Sequence, residues 1–231
     1  MTPTPLLLNA EFIALTLALV VVLLLAVRTA VQKTGSHPRI VVLTAVGIGA
    51  WLCLTAGVAS TSFLWQFDAQ PPRLFFLVAP TLLGMVLFAR SRKVGELLKA
   101  LSPAWIVGFQ VFRVVMELIL WQLFLANVIP VQMTFEGRNF DILVGLTAPI
   151  VARLLVQNKI SRTALIAWNW VSLAILLNIV VVAVVSTPVP FRVFMNEPAN
   201  TVILSFPFVW LPTVVVPIAV LGHIASLRHV R

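Results

Sequence analysis

The sequence predicts an all-α fold: a polytopic membrane bundle of seven transmembrane helices, N-terminus outside and C-terminus inside. Three observations predict it. The 231 residues are 61% hydrophobic and 10% charged, with a mean hydropathy of +1.07, whereas soluble domains are about 25% charged. Apolar runs of membrane-crossing length recur along the whole chain, which makes residues 1–231 one transmembrane domain. The basic residues fall on alternate loops. Of sixteen Lys and Arg, twelve lie in the three loops and the tail assigned to the inside, Arg73, Arg138 and Arg192 lie outside, and Arg113 lies within a span. That asymmetry sets the orientation.

The net charge of +9 therefore reports topology and contact with anionic lipid headgroups, not nucleic acid. The single cysteine, Cys53, lies in an apolar run. It excludes an intramolecular disulfide and a cysteine-rich metal site, and reads as a small buried apolar side chain.

The first span covers residues 6–27. No Lys or Arg precedes it, so the basic start of a cleavable signal is missing and it reads as a retained helix. Glu11, one turn in, reads as a carboxylate reaching the outer headgroups or, alternatively, as a second acid facing the bundle. The second span, residues 40–64, is rich in small and hydroxyl residues, among them Thr44, Gly47, Gly49, Thr55 and Gly57. Small residues let helices approach closely in lipid, so this helix is expected at the centre of the bundle. The third span, residues 74–89, contains Pro80. Arg92 and Glu96 follow at a spacing that allows pairing, on a helix that Leu97, Leu98 and Leu101 would lay on the membrane surface.

Ser102 and Pro103 read as the N-cap and first position of the fourth span, residues 103–129. The fifth span, residues 142–156, contains Pro149. The sixth, residues 163–185, carries Asn169 and Asn178. The seventh, residues 201–227, holds Trp210 with Pro207, Pro212 and Pro217. The third and fifth are short beside the ~20 residues a crossing needs. FFLVAPTLL in the third span and PFVWLPTVV in the seventh align Phe76, Pro80 and Thr81 with Phe208, Pro212 and Thr213. That is the pattern of a parallel three-plus-one-plus-three duplication.

Candidate chemistry concentrates in the fourth span. A charge at mid-bilayer costs at least about 2.5–3.5 kcal/mol, so Arg113 and Glu117 need a reason to be there. Gln110, Arg113, Glu117, Leu120, Phe124 and Asn127 share one helix face, opposite Val, Leu and Ile. The stripe is expected to face the bundle. Arg113 and Glu117, one turn apart, are expected to pair with each other, with Asn169 or Asn178 supplying further hydrogen bonds. In one reading the pair is structural. In the other it lines a wet cavity, where Arg113 holds an anionic group and Glu117 binds a cation or carries a proton.

The outer loop, residues 131–141, is the second candidate. Glu136, Arg138, Asn139 and Asp141 lie close together there, as a lid, a headgroup site or a solvated turn around Gly137. Two acids without a nearby His make a poor metal site, and no metal is expected. No cofactor is expected either, because P-loop and dinucleotide motifs are missing. A retinal protein needs a lysine in its last helix, and Lys33, Lys93, Lys99 and Lys159 all lie in loops. A zinc hydrolase needs clustered histidines, and His37, His223 and His229 are scattered.

Three readings of function follow. The leading one is a multi-pass protein of a bacterial cytoplasmic membrane that binds or transports a small polar or anionic solute, or a proton, at Arg113 and Glu117. It calls for a path to Glu117. The second is an enzyme acting on a lipid or lipid-linked substrate at the outer interface, and calls for a lateral opening beside residues 133–141. The third is a scaffold whose partner is another membrane protein or a second copy. It calls for a dry core and a small-residue face on the second helix.

Overall fold

The computed structural model describes residues 4–230; Arg231, counted in the basic tail, lies outside them. Among the described residues the chain is all-α, 72% helical and without strands. Five helices are long and apolar enough to cross a membrane, or six if one bent pair counts as a single span.

Helix α1, Leu6–Thr34, is an unbroken Leu-, Val- and Ala-rich run without an internal proline or glycine, and it outlasts the predicted first span by two turns. It packs against α2, Arg39–Ala59, and against α6, Phe112–Leu125. Glu11 is half-buried rather than turned to headgroups, because Gln122 of α6 donates to it at 3.3 Å.

The expected central position of α2 is corrected. Only 11% of its apolar window is buried. Gly47, Gly49 and Gly57 face open space, and Cys53 is exposed rather than buried. The helix is held along one edge instead. Trp210 Nε1 donates to the Leu52 carbonyl, and Trp51 Nε1 to the Thr213 carbonyl, each at 3.2 Å. Pro217 lacks the N–H that would serve the Thr213 carbonyl in a regular helix, so the indole supplies the missing donor.

Helix α3, Phe75–Arg90, bends by 74° into α4, Arg92–Lys99. The helix expected after the third span is present as α4. Its Arg92, Lys93, Glu96 and Lys99 are exposed, while Val94 packs inward. It rests on the C-terminal helix, where His229 Nε2 meets the Leu98 carbonyl at 2.9 Å. Arg92 and Glu96 form no ion pair.

The fourth span is two helices, α5 (Pro103–Phe109) and α6 (Phe112–Leu125), joined by a tight turn at Gln110–Val111. Helix α7 covers Asp141–Val156 and α8 covers Arg162–Val185. The seventh span begins later than predicted. Residues 201–210 form a buried irregular segment around the short 3-10 turn Val202–Leu204. A π-turn, Leu211–Val215, then leads into α9, Val216–His229. Pro212 and Pro217 fall in and just after that π-turn, where a regular ladder cannot close. The aligned stretches of the third and seventh spans thus differ in backbone, and share the Thr81 and Thr213 hydroxyls, each donating four residues back at 2.8 and 2.7 Å.

The core lies between α1, α6, α8 and the seventh segment, where the tilted rings of Phe12 and Phe208 meet at 4.7 Å and Leu123, Ile129 and Val209 are fully enclosed.

Candidate functional site

Helix α7 runs antiparallel to α5 and α6. A Cβ on Gly145 would crowd Val114 and the Arg113 side chain, and one on Gly108 would press on Ala152. That register sets Asp141, the first residue of α7, level with Glu117. Helix α6 continues two turns further out, to Leu125. The loop between them therefore dips into the bundle. Gln132, Met133, Thr134 and Asn139 are each 4% exposed or less. Helix α7 is 16 residues long, and irregular backbone continues from its start into the bundle. Such backbone is tolerated in a membrane only where protein encloses it.

Local chemistry holds the loop in place. Gly137 sits where any Cβ would collide with the backbone of Val131 and Gln132. The Asn139 amide donates to the Thr134 carbonyl at 3.1 Å. Gln132 donates to Ser186 at the end of α8 at 3.0 Å and accepts from Asn196 at 2.8 Å. Asn139 Oδ1 accepts from the Asp141 amide at 3.1 Å, starting α7. An acid in the first turn of α7 also suits the helix dipole.

The two sequence-predicted candidates are thus one site. Arg113 does not pair with Glu117 as expected; its Nε meets Asp141 Oδ2 at 3.2 Å. Glu117 Oε1 instead accepts from Asn139 Nδ2 at 2.6 Å, which also donates to the Met133 carbonyl at 3.1 Å. The physical reason is the tucked loop. It brings a carboxylate that can meet Arg113 from the neighbouring helix, and an amide that occupies Glu117.

Arg113 is 1% exposed, Glu117 2%, Asn139 1% and Asp141 7%. Even so, the terminal nitrogens Nη1 and Nη2 of Arg113, Glu117 Oε2 and Asp141 Oδ1 have no hydrogen-bond partner among the described residues. A buried charged group left in this state is costly. These four side chains line one end of a cavity of about 370 Å³ whose remaining walls are apolar. The walls come from α3, α6, α8 and the seventh segment, with Val78, Met116, Leu176 and Val215 representative.

The other predicted residues lie elsewhere. Gln110 is buried and donates to the Ala219 carbonyl at 2.9 Å, tying the α5–α6 turn to α9. Asn169 belongs to a separate cluster, accepting His223 Nδ1 at 2.9 Å and donating to Ser226 at 3.0 Å. Asn178 is exposed on α8 and donates to the Arg138 carbonyl at 2.8 Å. Asn127 is exposed, in a left-handed conformation with φ 55°, and lines a separate outer hollow of about 490 Å³ beside Glu197.

In the loop before α7, Glu136 and Arg138 do not join Asn139 and Asp141. Glu136 is exposed and accepts from Trp121 Nε1 at 2.8 Å, and Arg138 lies 5.2 Å over the Phe194 ring. Sequence reasoning missed the Asn139–Glu117 bond and the apolar cavity. The one available signal was the shortness of the fifth span together with the acid at its start.

Residues 71–231 match the model of a family described as "Domain of unknown function (DUF8737)". That match contains α3 to α9, and so the whole cluster and its cavity. No curated protein and no solved structure matches the chain.

Proposed function

The chain belongs to the DUF8737 family, and for it we propose a multi-pass membrane protein that binds a small anionic solute at Arg113 together with a proton at Glu117. One observation carries the reading: a buried arginine whose two terminal nitrogens are unpartnered at the wall of a cavity. A guanidinium presents those nitrogens as a fork suited to a carboxylate or similar planar anion.

The proton follows from charge balance. The cluster holds one cation and two carboxylates, and a further anion adds a second uncompensated negative charge unless one acid takes up a proton. Glu117 suits that role, because Oε2 is free while Asp141 already holds Arg113. The charged side chains that line the cavity with Glu117 are Arg113 and Asp141; Glu11 of α1 is engaged with Gln122, and His223 of α9 with Asn169.

The topology proposed with it has seven spans, N-terminus outside and C-terminus inside, in a bacterial cytoplasmic membrane. The tucked loop supports counting α7 as a span, because it supplies the depth that the helix lacks. Selective labelling of cysteines introduced at Asn196 and Lys159, in a Cys53→Ser background, tests it: Asn196 should react from outside and Lys159 from inside. The scaffold reading keeps one supporting observation, the unpartnered glycines of α2, where a second copy or another membrane protein would pack.

Binding is tested by adding octanoate to the purified protein in weak buffer with a pH dye. About one proton should be taken up per anion bound, Glu117→Gln should abolish uptake, and Arg113→Gln should abolish binding. Unchanged binding by Arg113→Gln overturns the reading.

A further inference from the structure

We propose that the anion is an amphiphile, a carboxylate carrying one apolar chain, and that it enters sideways from the bilayer between α3 and α8; this rests on the anion site proposed above.

The cavity is built for two chemistries at once. Its charged and hydrogen-bonding groups, Arg113, Glu117, Asn139 and Asp141, sit together, while the rest of its wall is hydrocarbon from α3, α6, α8 and α9. A small hydrophilic anion would leave most of that wall unused. A chain attached to the anion would cover it, and would keep water from the guanidinium, where the low dielectric strengthens the ion contact. The volume of about 370 Å³ is near the lower end of the ~300–1,000 Å³ of small-molecule sites, which suits one chain and excludes a two-chain lipid.

The way in is also visible. Helix α3 packs on α4, the π-turn and α9, and α8 packs on α7 and α9, but α3 and α8 build no comparable contact with each other. Leu82 of α3 and Leu177 of α8 both line the cavity and are 46% and 63% exposed, so they stand at its rim on the lipid-facing surface. The headgroup's charge complements Arg113, and the chain's medium is the one the rim opens into.

The test uses the full chain in lipid nanodiscs, with butyrate and decanoate as probes and with Leu82→Trp and Leu177→Trp as rim plugs. The plugs lie on the exposed surface, and circular dichroism checks that they fold. Each buried methylene contributes about 0.8 kcal/mol, about fourfold in affinity, so decanoate should bind at least a hundredfold more tightly than butyrate in aqueous terms. The plugs should slow decanoate association and dissociation at least tenfold, read by stopped flow, and leave its lead over butyrate in equilibrium affinity. Lateral entry is overturned if the plugs leave both rates unaffected, and the amphiphile is overturned if the two probes bind alike. Butyrate separates the two readings: its binding to wild type and loss in Arg113→Gln support the anion site even if the plugs do nothing. If neither probe binds, both readings fall.

Discussion

Removing either member of the Arg113–Asp141 pair should destabilise the protein far more than removing both. The ions meet at 3.2 Å, with side chains 1% and 10% exposed. Breaking such a pair leaves an uncompensated buried charge and costs about 3–5 kcal/mol, while replacing both partners by apolar groups of similar volume is often nearly neutral. At this chain length 1 kcal/mol shifts Tm by about 2–4 °C, so Arg113→Met and Asp141→Leu should each lower Tm by about 6–20 °C. The double variant should recover most of that loss, which is a coupling of about 5–10 kcal/mol: the sum of the two single losses less the small cost of the double. Arg113→Met should be the worse of the two single changes, because it leaves Asp141 and Glu117 facing each other without a cation. Glu117→Gln keeps an oxygen for the Asn139 amide and should cost about 1 kcal/mol. Thermal unfolding in detergent, followed by far-ultraviolet circular dichroism, measures all of these. The reasoning is refuted if both single variants stay within about 1 kcal/mol of wild type. It is also refuted if Arg113 couples more strongly to Glu117 than to Asp141.

Gly145→Leu should push α7 off α6 at Val114, separate Asp141 from Arg113 and cost about 1–3 kcal/mol by overpacking; an unchanged Tm would contradict the close approach. Trp51→Phe removes the donor that serves the Thr213 carbonyl beside Pro217 and should cost about 1–3 kcal/mol in the same assay. A loss no greater than that of an exposed apolar truncation on α2 would mean the bond is not needed. In the loop after α8, the Arg192 side chain, and then the Ala199 amide, hold the Glu197 carboxyl below its ordinary value of 4.5. A depressed carboxylate stabilises the loop above its unfolded value, and that contribution is lost as pH falls through the lowered one. The hydrogen-exchange protection of residues 192–200, relative to the intrinsic rate at each pH, should therefore fall in acid in wild type, and Glu197→Gln should flatten that dependence.

The helices were legible because long apolar runs without breakers leave the backbone few alternatives. Helix α8 matches its predicted span almost to the residue, and α1 differs only in running on past Arg28. The start of the seventh span was not legible. Apolar composition cannot distinguish a helix from a buried irregular segment when three prolines punctuate it. Burial of α2 was misread for a related reason: small residues permit close packing, but only the tertiary structure decides whether a neighbour arrives. At the site, the cost of intramembrane charge correctly marked Arg113 and Glu117. Their spacing of one turn suggested the wrong pair, because a local rule knows nothing of a loop that folds back 28 residues later. That loop is polar and glycine-bearing, and so resembles a solvated turn. Gln132 and Asn139 of that loop are instead buried in the bundle, bonded to Ser186, Glu117 and the Asp141 amide.

The most direct test of the central claim is carbon-13 NMR of decanoate labelled at its carboxyl carbon, added to the protein in nanodiscs. A bound resonance distinct from lipid-dissolved decanoate should appear with wild type, persist with Asn178→Ala, and vanish with Arg113→Gln. A bound resonance that survives loss of the Arg113 guanidinium would contradict the claim that this buried arginine holds the anion.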